Sequence, residues 1–408
     1  MQSERSGSRN VVLLVLVAAL GYFVDIYDLL IFSIVRVQSL SDIGVAPENS
    51  RRLGEFVINV QMAGLLLGGI LWGIVGDKFG RIRVLFGSIL VYSIANVING
   101  FVQDVNTYAL IRFIAGIGLA GELGAGITLV SETMSKEKRG YGTMLVAVIG
   151  LFGAVAANLV AHNFSWRTAY FVGGGLGFVL LLLRVGTFES GMYRHVEGST
   201  VRRGSFRMLF SNRQRALKYL YCILIGIPLW FVVGILIAQS PEFGKALGAK
   251  EALTAGGGIM YSYIGISIGD IFAGLLAQWA RSRRLAILIF LVLSLGTVIW
   301  YLNSKGIDAR NFHILAFIMG LGVGYWATFV TIASEQFGTN LRATVTTTVP
   351  NFVRGSLIPI TFIFDFFVER SNIITAGYIV MFGLTAVSLF ALSRLKETFG
   401  KDLDYLEE

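Results

Sequence analysis

Long apolar runs alternate with short polar interruptions along the whole chain, and most runs reach the ~20 residues a helix needs to cross the hydrocarbon core of a bilayer. Such runs predict helices, because a segment in lipid must satisfy its own backbone hydrogen bonds. Twelve spans are expected, at 11–36, 55–76, 84–103, 107–131, 141–163, 167–188, 216–239, 255–280, 284–304, 311–334, 343–368 and 372–395. Six precede the polar stretch 189–215 and six follow it. The pattern therefore predicts an all-α integral membrane protein with an N-terminal six-helix half (1–188), a linker (189–215) and a C-terminal six-helix half (216–408).

Composition sharpens this reading. Of 408 residues, 55% are hydrophobic and only 14% charged, whereas charged residues make up about a quarter of a soluble domain. A net charge of +9 would point to nucleic acid in a soluble protein, but here the basic residues follow the loops. With the N-terminus inside, 23 Lys and Arg fall on that side, eight of them in the stretch from Arg184 to Lys218, against 9 on the other side, Arg36 among them. Arg112 and Arg354 remain within spans. The positive-inside rule then places both termini in the cytoplasm of a multi-pass inner (cell) membrane protein, and no nucleic-acid partner is expected.

The single cysteine, Cys222, excludes an intrachain disulfide, and no Cys/His cluster suggests a metal site or cofactor. The first apolar run lacks a small-residue cleavage site and reads as a retained helix. Gly116-Ile-Gly118-Leu-Ala-Gly121 fits a dinucleotide pattern and Gly265-Ile-Ser267-Ile-Gly269 a nucleophile elbow. Both lie inside spans without the strand those mechanisms need, so close helix packing explains them and no enzyme is expected.

An internal repeat runs through the chain. Ser131-Glu132 stands before Arg139 as Ser334-Glu335 stands before Arg342, an offset of 203 residues, and Gly73 to Arg83 has a faded copy from Gly274 to Arg284, offset by 201. In the copy, Gln278 stands where the first has Asp77. Two halves related by a parallel repeat follow from this, with a substrate site between them near the midplane.

The loop Gly73-Ile-Val-Gly-Asp77-Lys78-Phe-Gly80-Arg81-Ile-Arg83 resembles the Gly-x-x-x-Asp-Arg/Lys-x-Gly-Arg-x-Arg/Lys signature of the major facilitator superfamily at every defining position. Gly21-Tyr-Phe-Val-Asp25-Ile-Tyr27-Asp28 in the first span and Arg112 to Glu122 in the fourth are similar to its metabolite:proton symporter branch. Asp25 stands where that branch has Glu, Ile26 where it has an aromatic, and Ala120 where it has the first Gly of Gly-Gly-Glu. The resemblance implies a secondary transporter working by alternating access, with Arg112 associated with proton coupling. It further implies a cytoplasmic gate of Gly73, Asp77, Lys78, Gly80, Arg81, Glu132 and Arg139, in which Asp77 caps the eleventh helix and pairs with Arg139. Glu335 and Arg342 are their counterparts in the second half. Many drug exporters of the superfamily carry a Gly-Pro motif in span five; Gly150 to Asn158 has no proline, which favours uptake. Pro228, Pro350 and Pro359 mark spans seven and eleven as the helices able to bend.

Ionisable residues inside spans are costly to keep and mark function by default. Asp25 and Asp28, three residues apart, lie on one helical face and form a candidate pair for holding a proton, or a structural pair met by donors such as Asn59, Gln61 or Asn158. Glu122 joins them as a coupling candidate. Ten residues from Arg112, it is about 80° off the same face, so each needs a partner elsewhere, and Asp25 or Asp28 is the candidate for Arg112. Arg354 is the candidate ligand for a substrate anion, with Asn351 beside it; the competing reading pairs it with Asp270. Tyr261, Tyr325 and Trp326, with Tyr263, are further candidates for the cavity wall. The leading expectation is a monomeric, proton-coupled importer of a small organic carboxylate or zwitterion. Export of a metabolite, chelator or drug, and a non-transporting sensor on the same fold, are the alternatives.

Overall fold

The computed structural model describes residues 2–79, 81–124, 126, 139–189, 206–400 and 407, which form helices and turns with no strand among them. The N-terminal half comprises α1 (Gln2–Asp42), α2 (Ser50–Phe79), α3 (Arg81–Asn99), α4 (Val105–Leu119), α5 in two pieces (Arg139–Leu151 and Gly153–Asn163) and α6 (Trp166–Glu189). The C-terminal half comprises α7 (Arg213–Leu224, Ile227–Phe231, a π-helical turn Val232–Ile237, and Ser240–Leu247), α8 (Ala255–Trp279), α9 (Arg283–Asn303), α10 (Ala309–Gly322 and Trp326–Glu335), α11 (Thr339–Gly355 and Leu357–Arg370) and α12 (Ile373–Arg394). Among the described residues, ten stretches are individually long and apolar enough to cross a membrane, and α3 is apolar over Arg83–Asn99. Large apolar side chains such as Leu182, Phe362 and Trp279 remain on the outside, as a lipid-facing surface requires.

Polar side chains set where spans begin. Asp104, Thr254, Ser282, Asp308 and Asn372 each accept a hydrogen bond from the backbone N–H three residues on, at 2.8–3.2 Å, satisfying a donor that a helix start leaves open. At Asp104 the backbone N–H of Thr107 holds the carboxyl below the usual range. Gly248, at φ 66°, closes α7 in the left-handed conformation that suits glycine.

The repeat seen in sequence is visible as packing. A Cβ at Gly64 would strike the carbonyl of Phe113, and one at Gly265 the carbonyl of Phe317; Gly116 meets Gln61 O as Gly320 meets Ser262 O. Positions 64 and 265 differ by 201, and 116 and 320 by 204. The α2–α4 and α8–α10 pairs are thus the same close crossing made twice.

Breaks in α7 and α11 fall near the prolines. Pro228 lies in the first turn of the second piece of α7, which starts after Gly226, and α11 breaks at Ser356 just ahead of Pro359, whose missing N–H cannot bond back. The break in α10 at Val323–Tyr325 has no proline and was not legible. There Gly324 packs on Gly269, and Asp270 Oδ1 accepts from Ala327 N at 2.9 Å, so an acid on α8 caps the second piece of α10.

Three expectations from sequence need correction. Arg184, counted with the basic loop, is 1% exposed within α6, and Arg36, counted with the loops of the opposite side, is 1% exposed within α1. Of the expected linker, 190–205 lie outside the described residues. Its remainder is already structured: the turn Phe206–Phe210 packs Phe206 against Phe352 and Phe210 against Tyr219, and α7 begins at Arg213.

Candidate functional site

Three buried ion pairs account for six of the charges inside the bundle. Arg112 Nη1 donates to Asp28 Oδ1 at 2.8 Å and Nη2 to the Asp28 carbonyl at 2.7 Å, while Nε reaches Gln61 and Nη1 also Asn96 at 3.2 Å. Both side chains are fully buried. Glu122 is gripped by Arg184 through both carboxylate oxygens, and Arg184 also donates to Leu85 O. These two pairs join elements within the N-terminal half: α1 to α4, and the segment just after α4 to α6.

The third pair is different in kind. Arg354 Nη2 on α11 lies 3.7 Å from Asp25 Oδ2 on α1, so this pair bridges the two halves, and both partners are at most 1% exposed. Neither oxygen of Asp25 accepts a hydrogen bond from any described residue, and Arg354 Nε and Nη1 donate none. A buried pair in this condition carries desolvation that it does not recover, whereas Asp28–Arg112 is closed off on almost every side. Asp25 and Asp28, expected to act as a pair, have different arginine partners. A separation of 300° around α1 is enough to send one carboxylate toward α11 and the other into the N-terminal half, each to its own arginine.

Arg354 borders a small cavity between the halves, lined also by Tyr22, Leu229, Trp230, Tyr263 and Trp326. Its volume of about 20 Å³ is room for roughly one water molecule. The guanidinium sits 5.9 Å from the Trp230 ring and 5.8 Å from that of Trp326, within cation–π range of both. Tyr22 and Trp230 were missed in sequence because an aromatic in an apolar run carries no sign of which way it faces.

Other expected ligands lie elsewhere. Asp270 caps α10 and does not pair with Arg354. Asn351 donates from Nδ2 to Ala120 O at 2.9 Å and to Thr347 O at 3.0 Å, joining α11 to the N-terminal half. Tyr325 is fully buried, donates to Ile225 O at 3.1 Å and packs on Phe290. Tyr261 stacks on His313 at 4.6 Å. Of the residues expected at the substrate site and cavity wall, Arg354, Tyr263 and Trp326 border the cavity.

At the end of the bundle that carries the chain termini, the side chains of Asp77, Lys78, Arg81 and Arg139, and all of Gly80 and Glu132, lie outside the described residues. Gly73 faces open space. In the C-terminal half, Glu335 pairs with Arg283 at 3.5 Å and accepts from Thr398 at 2.7 Å, while Arg342 donates to Phe337 O at 3.4 Å. Glu397 accepts from Ser282 Oγ and from the N–H groups of Arg283 and Arg284 at the start of α9. Partial burial alone would raise this carboxyl, but the bonds from Ser282, Phe399, Arg283 and Thr398 outweigh it and hold the pKa at about 2. The opposite end is closed by charges that sequence reading did not assign: Arg36 to Glu242 at 2.7 Å, and Arg51 to both Glu55 and Asp365 at 2.8 Å.

The sequence model of the Major Facilitator Superfamily matches residues 11–358. The chain is 25% identical over 353 residues to a putative niacin/nicotinamide transporter of Bacillus subtilis (strain 168), covering 83% of this chain and 84% of that one. It is also 25% identical over 401 residues to a cis,cis-muconate transport protein of Acinetobacter baylyi (strain ATCC 33305), covering 93% of both. Its fold is like that of the proton:xylose symporter XylE, with a TM-score of 0.70 at 16% identity over 98% of both chains. A helical bundle in two repeated halves, a cavity between them and a family match across most of the length have one reading: the chain belongs to the Major Facilitator Superfamily and is a multi-pass membrane transporter, not an enzyme.

Proposed function

We propose that the protein imports a small organic carboxylate together with a proton, with Arg354 as the anion ligand and Asp25 as the proton carrier. The observation that carries this reading is the under-satisfied Asp25–Arg354 pair at the cavity between the halves. Protonating Asp25 releases Nη2 of the guanidinium, which then offers Nη2 together with the unpartnered Nη1 to a substrate carboxylate in a bidentate grip. Aspartate has been exchanged for substrate as the counter-ion, so the loaded and empty sites carry the same net charge. That equality lets the halves close over either one without burying an unpaired ion. Substrate without the proton would place two carboxylates on one guanidinium, and the proton without substrate would leave Arg354 unpaired; both are disfavoured, which is the physical basis of coupling.

Asp28–Arg112 and Glu122–Arg184 then serve as anchors that hold α1, α4 and α6 in place, with Asp28–Arg112 one turn from the proton site. Trp230 and Trp326 flank the guanidinium and supply flat apolar walls. The excess of basic residues at the termini-bearing end supports placing it in the cytoplasm. A site complete within one chain supports a monomer as the working unit. The named relatives supply test substrates: in proteoliposomes, a panel containing niacin and cis,cis-muconate should include a carboxylate that accumulates under an inward proton gradient and stops with a protonophore. Accumulation indifferent to protonophore would refute the coupling.

A further inference from the structure

Far from the cavity, where the halves meet at the end opposite the termini, six side chains from α1, α2, α7 and α11 form one cluster. Arg51 Nη1 is held by two carboxylates at once, Glu55 Oε1 and Asp365 Oδ1, each at 2.8 Å. Gln239 Nε2 donates to the same Glu55 oxygen at 2.7 Å, and beside it Arg36 Nη2 meets both oxygens of Glu242 at 2.7 and 2.8 Å. Glu55 belongs to the N-terminal half and Asp365 to the C-terminal half, so their approach depends on this end being shut. The other charged side chains nearby, Arg52 on α2 and Glu369 and Arg370 on α11, are exposed.

The cluster holds three carboxylates and two guanidinium groups, one positive charge short of neutrality. Glu55 has a side-chain exposure of 7% and Gln239 is 3% exposed overall, whereas Arg51, Asp365 and Glu242 are 20–29% exposed, so water reaches the Asp365 side of the cluster but makes up little of the deficit at Glu55. The Oε1 of Gln239 accepts no hydrogen bond from a described residue. An amide in this position suits either state of its neighbour: it donates to a Glu55 carboxylate as seen, or turned over it accepts from a Glu55 carboxylic acid through the idle oxygen.

We propose that the closed cluster is a proton-binding site of its own, in which Glu55 and Asp365 share one proton across the boundary between the halves. Closing this end brings the two carboxylates onto one arginine nitrogen and takes up a proton; opening separates them and releases it to the same side. The proton is not carried across the membrane. It makes closure, not stoichiometry, depend on pH. The sign follows from linkage: the closed form holds one more proton than the open form, so the closed-to-open ratio rises as pH falls, by up to about tenfold per pH unit.

The test uses the full chain with Cys222→Ser and two spin labels, at Val37→Cys on α1 and Ala246→Cys on α7, both exposed at this end. The interlabel distance distribution gives the closed-to-open ratio at each pH, with no substrate present. The parent should shift toward closed by several-fold per unit of acidification. Glu55→Gln and Asp365→Asn, each mimicking the protonated partner, should be closed at all pH values with the slope gone. A slope that survives both variants, a pH-independent parent, or variants that are open throughout would overturn the proposal, the last because it would make the cluster an ion-pair latch without a proton. Asp25→Asn separates this idea from the transport reading: it should leave the distance slope intact, and loss of the slope in that variant would assign the proton to Asp25 instead.

Discussion

Replacing Glu122 by glutamine should be among the most damaging single substitutions in the bundle, although it lies outside the transport cavity. Glu122 and Arg184 are each 1% exposed, and the guanidinium meets both carboxylate oxygens. The amide keeps the shape but removes the charge, leaving Arg184 as a buried cation with a neutral neighbour. Breaking one side of a buried pair costs about 3–5 kcal/mol, whereas replacing both members by apolar residues of similar volume is near neutral. At the lower end of the usual 2–4 °C per kcal/mol, Glu122→Gln should lower the unfolding midpoint of the purified transporter by roughly 6–10 °C. Glu122→Met with Arg184→Met should recover most of that loss. The assay is thermal unfolding in one detergent for the parent, both singles and the double. A Glu122→Gln midpoint within about 2 °C of the parent, or a double variant no better than the singles, would refute the assignment of this pair as an anchor.

Two other outcomes test separate parts of the structure. Gly64→Ala and Gly265→Ala each push a Cβ onto a neighbouring backbone carbonyl in equivalent crossings of the two halves, so each should destabilise by about 1–3 kcal/mol, and similarly; a large loss at one and none at the other would break the equivalence of the repeats. Glu397, with a pKa of about 2 against an ordinary 4.5, adds stability that is fully present above pH 4.5 and lost as pH falls through 2. Because the group is exposed, Glu397→Ala should cost no more than about 1 kcal/mol at pH 7, and the difference should vanish in strong acid; a difference unchanged at pH 2 would contradict the capping role.

The fold was legible because its determinants are local and repeated: run length sets the spans, basic loops mark one end, and glycine spacing marks the close crossings. Partners were much less so. That Arg112 needs an acid from another helix follows from the rotation between it and Glu122, and Asp28 is that acid. That Arg184 belongs to Glu122 did not follow, because near the end of an apolar run an arginine looks the same whether it reaches outward to solvent or inward to a carboxylate. Asp270 looked like a ligand for the same reason that makes it a helix cap, a lone acid in an apolar helix, and only the break in α10 distinguishes the two. The far-end cluster was hidden because its members sit at span ends, where charge is ordinary, and only the meeting of the halves brings Glu55 and Asp365 to one arginine.

The central claim is that Asp25 carries the proton and Arg354 the substrate anion. Its most direct test compares two modes of transport in proteoliposomes, using a carboxylate that the parent accumulates: uptake driven by a proton gradient, and exchange of labelled for unlabelled substrate at equal pH. Asp25→Asn should keep exchange and lose gradient-driven accumulation, because an amide leaves Arg354 permanently free for the anion, while Arg354→Gln should lose both. Accumulation by Asp25→Asn at parental levels, or exchange by Arg354→Gln at parental affinity, would contradict the account.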